Sequence, residues 1–490
     1  MAIGTFKLPI GSTTATASTT TYTRPADWLA MPTPGVQEVI GLMAVYDDGA
    51  NYVALQCQGA YTVDWGDGTI TNYANSVIAS YQHTFASLSA GTLTSKGFRQ
   101  ALVRITPQSG QNLTSVSFGI QNATLAKNGF AVGWLEIASR TPNALPTFAG
   151  SGGVVRYARL EKITIYQLGI QNPQNWATNL FNLRSVYIEP TETSHCTAFN
   201  SMFQSCYSLV EVNNFNTNLG TNFSLMFSGC YSLENVPNFN LSSSTNVSSM
   251  FDSCYSLTIA PNLTLGTSAA SLFSNCIGLT TVTAMGTSNV TDFTSMFVNC
   301  TALETVALFD TSKGTNFTTM FSTCRSLASI PLFNTRFGTN FTSMFASTNV
   351  LTEIPLLNTA SASNMTGMFN GCNNLMYLPG LTTSNVTTLN QAFQNCINLR
   401  ELPAFSLPVC TVFSSWLANV TTLSKSNITG ATRGHSYISN SLSQANIVTI
   451  FTNLGTASGA QTIQVSSNPG YLSLTAGERL IATNKGWTIA

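Results

Sequence analysis

One phrase, Met-Phe-x-x-Cys-x-x-Leu-x-x-Val/Ile, recurs nearly every 24 residues between Trp176 and Leu423, and it restricts the fold more than any other feature. The Met-Phe pair stands at Met202/Phe203, Met226/Phe227, Met250/Phe251, Met296/Phe297, Met320/Phe321, Met344/Phe345 and Met368/Phe369. Leu272/Phe273 replaces it once, after a 22-residue step. A near-constant period over hundreds of residues means stacked copies of one unit, each burying an apolar face that it cannot bury alone. The expected architecture is therefore mainly β with short helices, built as a solenoid of about 24-residue repeats.

Each column of the repeat has a physical role. Cys206, Cys230, Cys254, Cys276, Cys300, Cys324, Cys372 and Cys396 form one file, followed three residues later by a file of leucines from Leu209 to Leu399. Stacked rungs about 4.8 Å apart place those thiols in a parallel row, and a buried thiol packs as a small apolar group. The Leu-x-x-Val/Ile segment suits a short strand, and the Pro that often follows ends its ladder. Four residues before the Met column stand Asn222, Asn246, Ser268, Asp292, Asn316, Asn340, Asn364 and Thr388, all helix-capping types. Each rung is thus predicted to be a short strand, a turn and a capped helical turn carrying Phe and Met inward. Departures are local: Thr348 replaces Cys, Ala392 replaces Met, and Trp416-Leu417 with Val420 and Leu423 mark a decaying last rung.

The stretch from Asp310 to Leu327 resembles the BspA-type leucine-rich repeats of bacterial and mycoplasma surface proteins. That resemblance implies a leucine-rich-repeat solenoid used for adhesion and binding, and no chemistry. Ten or eleven rungs would extend roughly 50 Å at about 4.8 Å each.

The flanks differ. Residues 1–35 form an N-terminal arm, with a Thr/Ser/Ala tract from Gly11 to Thr23 and then Arg24-Pro25-Ala26-Asp27-Trp28-Leu29, serving as a disordered leader or as a docking strap. Residues 36–110 alternate in short segments, including Tyr52 to Leu55, Tyr61 to Val63 and Ala101 to Ile105, with an Asp-Gly hairpin signal at Asp67-Gly68. The run Val63-Asp64-Trp65-Gly66-Asp67-Gly68-Thr69, with His83-Thr84-Phe85 downstream, resembles PKD-type β-sandwich domains, which act as spacers in surface proteins. Residues 111–190 form a β-rich N-terminal cap, 191–430 the solenoid and 431–490 a C-terminal cap. In that last segment Ser443 to Leu454 is expected to be a helix stopped by Gly455, Gln461 to Val465 a strand, and Thr475 to Glu478 the capping box of a second helix. This ending, with Gly486-Trp487 near the terminus, resembles those of tailed-phage tail and fibre proteins.

Charge removes several function classes. Only 8% of residues are charged, with 19 basic and 19 acidic, so no field draws in nucleic acid or anionic lipid. No run of about 18 apolar residues exists for insertion into a membrane. The start, Met1 to Lys7, lacks a secretory signal pattern, which makes reduced thiols the expectation and leaves triplets such as Asn112-Leu113-Thr114 without a glycosylation role. The cysteines lack the C-x-x-C pairs and clustered His of a metal site. No cofactor is expected. The one candidate metal site is Ca²⁺ at Asp64 and Asp67, with Asp47 and Asp48 nearby, set against a plain hairpin turn in which Asp bonds its own backbone.

A polysaccharide-cleaving solenoid would need two carboxylates across a groove, roughly 5–9.5 Å apart. Glu353 and Glu401 lie two rungs apart, Glu211 and Glu234 fall on opposite strand faces, and His83, His195 and His435 are scattered. The chain is thus read as no enzyme. Tyr207, Tyr231 and Tyr255 follow the column cysteine in three successive rungs and form the candidate recognition ladder, or else a packing file. The function expected is that of a non-enzymatic virion protein of a tailed phage, in tail fibre, baseplate or head decoration, recognising a host-surface glycan or protein. Its arm would meet other virion proteins, copies of the chain would associate as a homo-oligomer, and its place would be the virion. The alternative is an adhesin on the bacterial cell surface, and a polysaccharide-degrading enzyme is the third reading.

Overall fold

The alternation in the first hundred residues builds two facing sheets. A computed structural model describes residues 21–49, 51–120, 133–148, 159–169, 172–438 and 440–490. In it β1 (Glu38–Val45), β2 (Tyr52–Gln58), β3 (Tyr61–Asp64), β4 (Ile70–Tyr73), β5 (Ile78–Gln82), β6 (Arg99–Pro107), β7 (Ser115–Ser117), β8 (Trp134–Arg140) and β9 (Pro146–Thr147) form the N-terminal layers. Seven of the eight residues of β1 are buried, as befits a strand covered on both faces. It lies antiparallel between β6 and β8. Mid-strand Gly41 is there because a Cβ would meet the Trp134 ring at 2.2 Å. The second sheet runs β5-β2-β7-β9.

The first sheet does not stop at residue 110. Its far edge continues through β8, β10 (Lys162–Gln167), β11 (Ser185–Ile188) and β12 (Glu211–Val212), in the order β12-β11-β10-β8-β1-β6-β3-β4. β8 is antiparallel to β1 on one side and parallel to β10 on the other, with Ile137 opposite Ile163. The sandwich thus covers the open edge of the first rung with a paired strand, which leaves no template for another chain. One buried core runs unbroken from Val39 to Trp487.

The solenoid makes about 13 turns, more than the ten or eleven expected. The difference is β8 and β10, which carry no Met-Phe phrase yet stack in the same parallel file. Later rung strands are two residues long: β13 (Ile259–Ala260), β14 (Thr281–Val282), β15 (Thr305–Val306), β16 (Glu401–Leu402) and β17 (Lys425–Ser426). Ala307 donates its N–H to Val282 at 2.9 Å. Pro331, Pro355 and Pro379 occupy that position in successive rungs, so no N–H is donated from one to the next and no strand is formed there, whereas ahead of Pro261 and Pro403 a strand persists by pairing with the following rung.

The capped helical turn expected in every rung is absent. Among the described residues the two α-helices are α1 (Gln444–Asn453) and α2 (Ala476–Thr483), both in the C-terminal cap. The rungs instead chain type II-like turns. Met202 and Cys206 donate to the carbonyls of Phe199 and Phe203, each turn having a positive φ at its third residue, Ser201 (53°) and Ser205 (60°). Phe199, Ser201, Phe203 and Ser205 donate to Asn222, Ser224, Met226 and Ser228 of the next rung at 2.7–2.9 Å. Alternate amides thus close local turns and link rungs, satisfying the backbone without a helix. The capping residues still act as side-chain acceptors two residues on: Ser224 N–H to Asn222 at 3.1 Å, Thr342 to Asn340 at 3.0 Å, Asn390 to Thr388 at 3.3 Å. They initiate Asx turns, or an ST turn at Thr388.

Inside the rod, Phe203, Phe227, Phe251, Phe273, Phe297, Phe321, Phe345, Phe369 and Phe393 stack ring on ring, with centroids 5.4–6.0 Å apart. The far end is closed by β18 (His435–Ser436), β19 (Gln461–Gln464) and β20 (Trp487–Ile489), a parallel sheet backed by the two helices. Thr475 and Glu478 form the expected capping box. The described part of the arm lies on the chain's own sheet. Trp28 joins Leu42, Ala44, Phe98 and Leu135 in a second small core, Arg24 pairs with Glu136 at 2.6 Å, and Asp27 accepts from Ser95. Residues 1–20 of the expected arm lie outside the described residues.

Candidate recognition surfaces

The cysteine file is buried, and all its thiols are free. Each Sγ makes a hydrogen bond. Cys230, Cys254, Cys276, Cys300 and Cys324 donate to the carbonyls of Phe203, Phe227, Phe251, Phe273 and Phe297 at 3.1–3.3 Å. Cys206 donates to Ala177, and Cys372 and Cys396 to Phe345 and Phe369, at 3.0–3.1 Å. Thr348 repeats the bond with its hydroxyl, to Phe321 at 3.0 Å. Burial pushes the Cys206 and Cys372 thiols up to about 12 and that of Cys300 well up. Thiolate, the reactive form, is therefore scarce along this file at neutral pH.

The tyrosine file is a stack. Phe181, Tyr207, Tyr231 and Tyr255 follow one another with centroids 4.6 Å apart and planes within 9°. The repeat phrase does not disclose Phe181 as its first member, although it stands two residues before Leu183 as Tyr207 does before Leu209. The tyrosines are 37–38% exposed, but the stack consumes the faces of the inner rings and leaves edges and hydroxyls outward. A stacking platform for a ligand needs free faces, so the geometry favours packing for Tyr207 and Tyr231.

Asp64 and Asp67 sit at the β3–β4 turn. Asp64 accepts from the Gly66 N–H at 3.0 Å, while Asp67 accepts from the Thr69 N–H at 3.1 Å and the Tyr81 hydroxyl at 2.8 Å. The Tyr81 and Thr69 bonds hold the Asp67 carboxyl below its ordinary value despite burial. His83 is buried 3.6 Å from Asp67, against Trp65 and Tyr81, and burial pushes its pKa down. No group of three His, Cys, Asp or Glu is placed to hold a metal among the described residues. Of the carboxylates weighed for catalysis, Glu401 pairs with Lys425 at 2.7 Å and Glu211 accepts from Ser185 at 2.7 Å. His195 stands beside Cys196, and His435 lies buried in the C-terminal cap, so the three histidines do not meet.

The most regular surface of the molecule is a column that the repeat phrase does not single out. One residue before the Asn column, every rung from Thr197 to Thr411 carries an exposed Thr, with Ser363 the exception. Eight of these hydroxyls donate to the carbonyl of the same column in the preceding rung at 3.0–3.4 Å, as Thr315 does to Thr291 and Thr339 to Thr315. With the turns that follow it, this file makes a long face whose charged residues are Asp252 and Asp292.

Part of the repeat region matches a known family model. Residues 175–263 and 267–377 match the family described as Mycoplasma protein of unknown function, DUF285. A search of curated proteins found no match. Among solved structures, the chain is similar to a leucine-rich repeat protein from Bacteroides ovatus, at 14% identity over 79% of this chain and 97% of that one, TM-score 0.36. It is also similar to the plant peptide hormone receptor RGFR1 in complex with RGF2, at 12% identity over 69% of this chain and 67% of that one, TM-score 0.23.

Proposed function

We propose that the chain is a non-enzymatic recognition protein of a tailed-phage virion, in a tail fibre, baseplate or head decoration, whose solenoid meets the host surface. The observation that carries this reading is the long, nearly charge-free face from Thr197 to Thr411 on a rod closed at both ends by paired strands and helices. A stack of this kind offers contact area along its length, while its carboxylates and histidines are dispersed. The PKD-like reading of the sandwich, as a spacer, and the phage-like ending of residues 431–490 support the virion assignment. Since residues 22–29 are spent on the chain's own sheet, contact with other virion proteins falls to the rest of the arm.

Mass spectrometry of purified virions should find the chain, and fluorescently labelled protein should bind intact host cells. Virions without the chain would refute the virion assignment. A cell-surface adhesin is the second reading, favoured by the match of residues 175–377 to a mycoplasma family; labelling of intact bacteria at their surface, with no particle-associated chain, would establish it. Release of reducing sugar from host polysaccharide by the pure protein would overturn the non-enzymatic reading.

A further inference from the structure

We infer that the groove beside the first full rungs is a binding site for a neutral saccharide. This rests on the recognition reading and names its ligand class. A cavity of about 450 Å³ opens where the 3-10 turn Pro190–Thr193 stands against the next two rungs. Thr191 and Ser194 line it from the rung of the 3-10 turn, and Asn214, Asn216, Asn218, Asn238 and Asn240 from the two rungs that follow. That volume suits roughly one or two sugar rings, at the lower end of ordinary small-molecule sites.

The chemistry is narrow. No lining residue is charged, so an acidic sugar or phosphate would find no cation. The ring that would anchor an apolar peptide side chain is withdrawn, since Phe215 is only 3% exposed, stacked on Phe199 and tilted against Phe239; the apolar surface that is left, from Pro190 and the carbon stems of Thr and Asn, suits the C–H face of a sugar ring. Amides and hydroxyls, each offering donors and acceptors, match the paired hydroxyls of a neutral sugar. Part of the set is already fixed: Asn240 donates to the Asn218 side chain at 3.1 Å, and Asn216 accepts from the Asn218 N–H at 3.0 Å. Fixed amides lose less freedom on binding.

The rung does not demand these amides. At the offset of Asn214 and Asn238, eight residues past the column cysteine, later rungs carry Leu308, Leu332 and Leu356, each about 60% exposed. Asn262 shares the offset but lies outside the groove. The fold accepts Leu there, and amides line the groove at the two rungs where the cavity exists.

The test applies the full chain to a microarray of neutral and acidic oligosaccharides and then titrates the strongest binder by calorimetry. A neutral oligosaccharide should bind. N214L/N238L should weaken it at least tenfold with the thermal midpoint unchanged, T191W should block it from the neighbouring rung, and N262L should leave it intact. Binding confined to acidic sugars, no binding at all, or undiminished binding by both N214L/N238L and T191W would overturn the inference. Cell binding that survives glycosidase and is abolished by protease would overturn it while sparing the recognition reading. Failure to bind cells or virions would refute that reading itself.

Discussion

At the scale of single residues the rod is held by donors hidden in its core. Cys324 donates to Phe297 and Thr348 does the same to Phe321, so the column asks for a small side chain with one polar hydrogen. C324A should cost about 1–2 kcal/mol, from a lost hydrogen bond and incomplete filling of the space. C324T should cost less than half as much, both read as shifts in urea midpoint. A second residue-level feature is strain. Leu225 holds a φ of 60° at a turn position where other rungs place Ser, Thr, Asn, Gln or Gly. A Cβ in that region costs roughly 1–2 kcal/mol for most side chains, and Asn tolerates it best. L225N should therefore raise stability by about 1 kcal/mol, against the loss expected for replacing a half-buried leucine.

At the scale of the element, the sequence disclosed the columns and hid the backbone between them. Period and inward residues were legible because burial repeats in register: the Met, Phe, Cys and Leu files lie inside. The turn type was not. Asn340 ahead of Phe341 and Met344 suits a capped helix as well as an Asx turn, since both put the side-chain oxygen on an N–H two or three residues later. What decides is the bond from one rung to the next, such as Phe341 N–H to Asn364, which no local pattern reveals. A weaker signal was available in Gly367 and Gly371, four apart, and in Asn275, Asn299 and Asn395 at the offset of Gly371, residue types that tolerate the positive φ found there. The groove was equally hidden, because Thr191 and Asn238 come together only through the stack. The tyrosine file gives the element-level test. Tyr231 stacks on both Tyr207 and Tyr255, whereas Tyr255, at the end of the file, stacks on Tyr231. With each aromatic pair worth about 0.5–1.5 kcal/mol beyond its burial, Y231A should destabilise about twice as much as Y255A. Equal stability losses with unequal losses of cell binding would return the file to a recognition role.

At the scale of the whole molecule, stability is a sum over neighbouring rungs closed by two ends, and pH acts on different parts of that sum. On the alkaline side, thiols of ordinary value 9.0 are pushed up by burial, to about 12 at Cys206 and Cys372. Above pH 9 the unfolded chain loses these protons and the folded chain keeps them, so stability falls as pH rises from 9 toward 12. The loss is spread along the rod. The acid side acts at the two ends: burial pushes His83 down in the N-terminal sheets, and burial among Phe413, Trp416, Tyr437 and Trp487 pushes His435 down to about 4 in the C-terminal cap, against a carbonyl bond from Arg433 that favours its charged form. Below pH 6.5 the unfolded chain takes up a proton that folded His435 refuses, and stability is lost as pH falls from 6.5 to 4, by on the order of 3 kcal/mol. Because a rung couples only to its neighbours, that loss should appear first where His435 sits. Hydrogen exchange at pH 5 should show residues 435–490 opening before the rungs from Cys230 to Cys324, and H435F should restore their protection to the pH 7 level. Uniform opening of cap and rungs together would mean that the end transmits its strain through the whole stack.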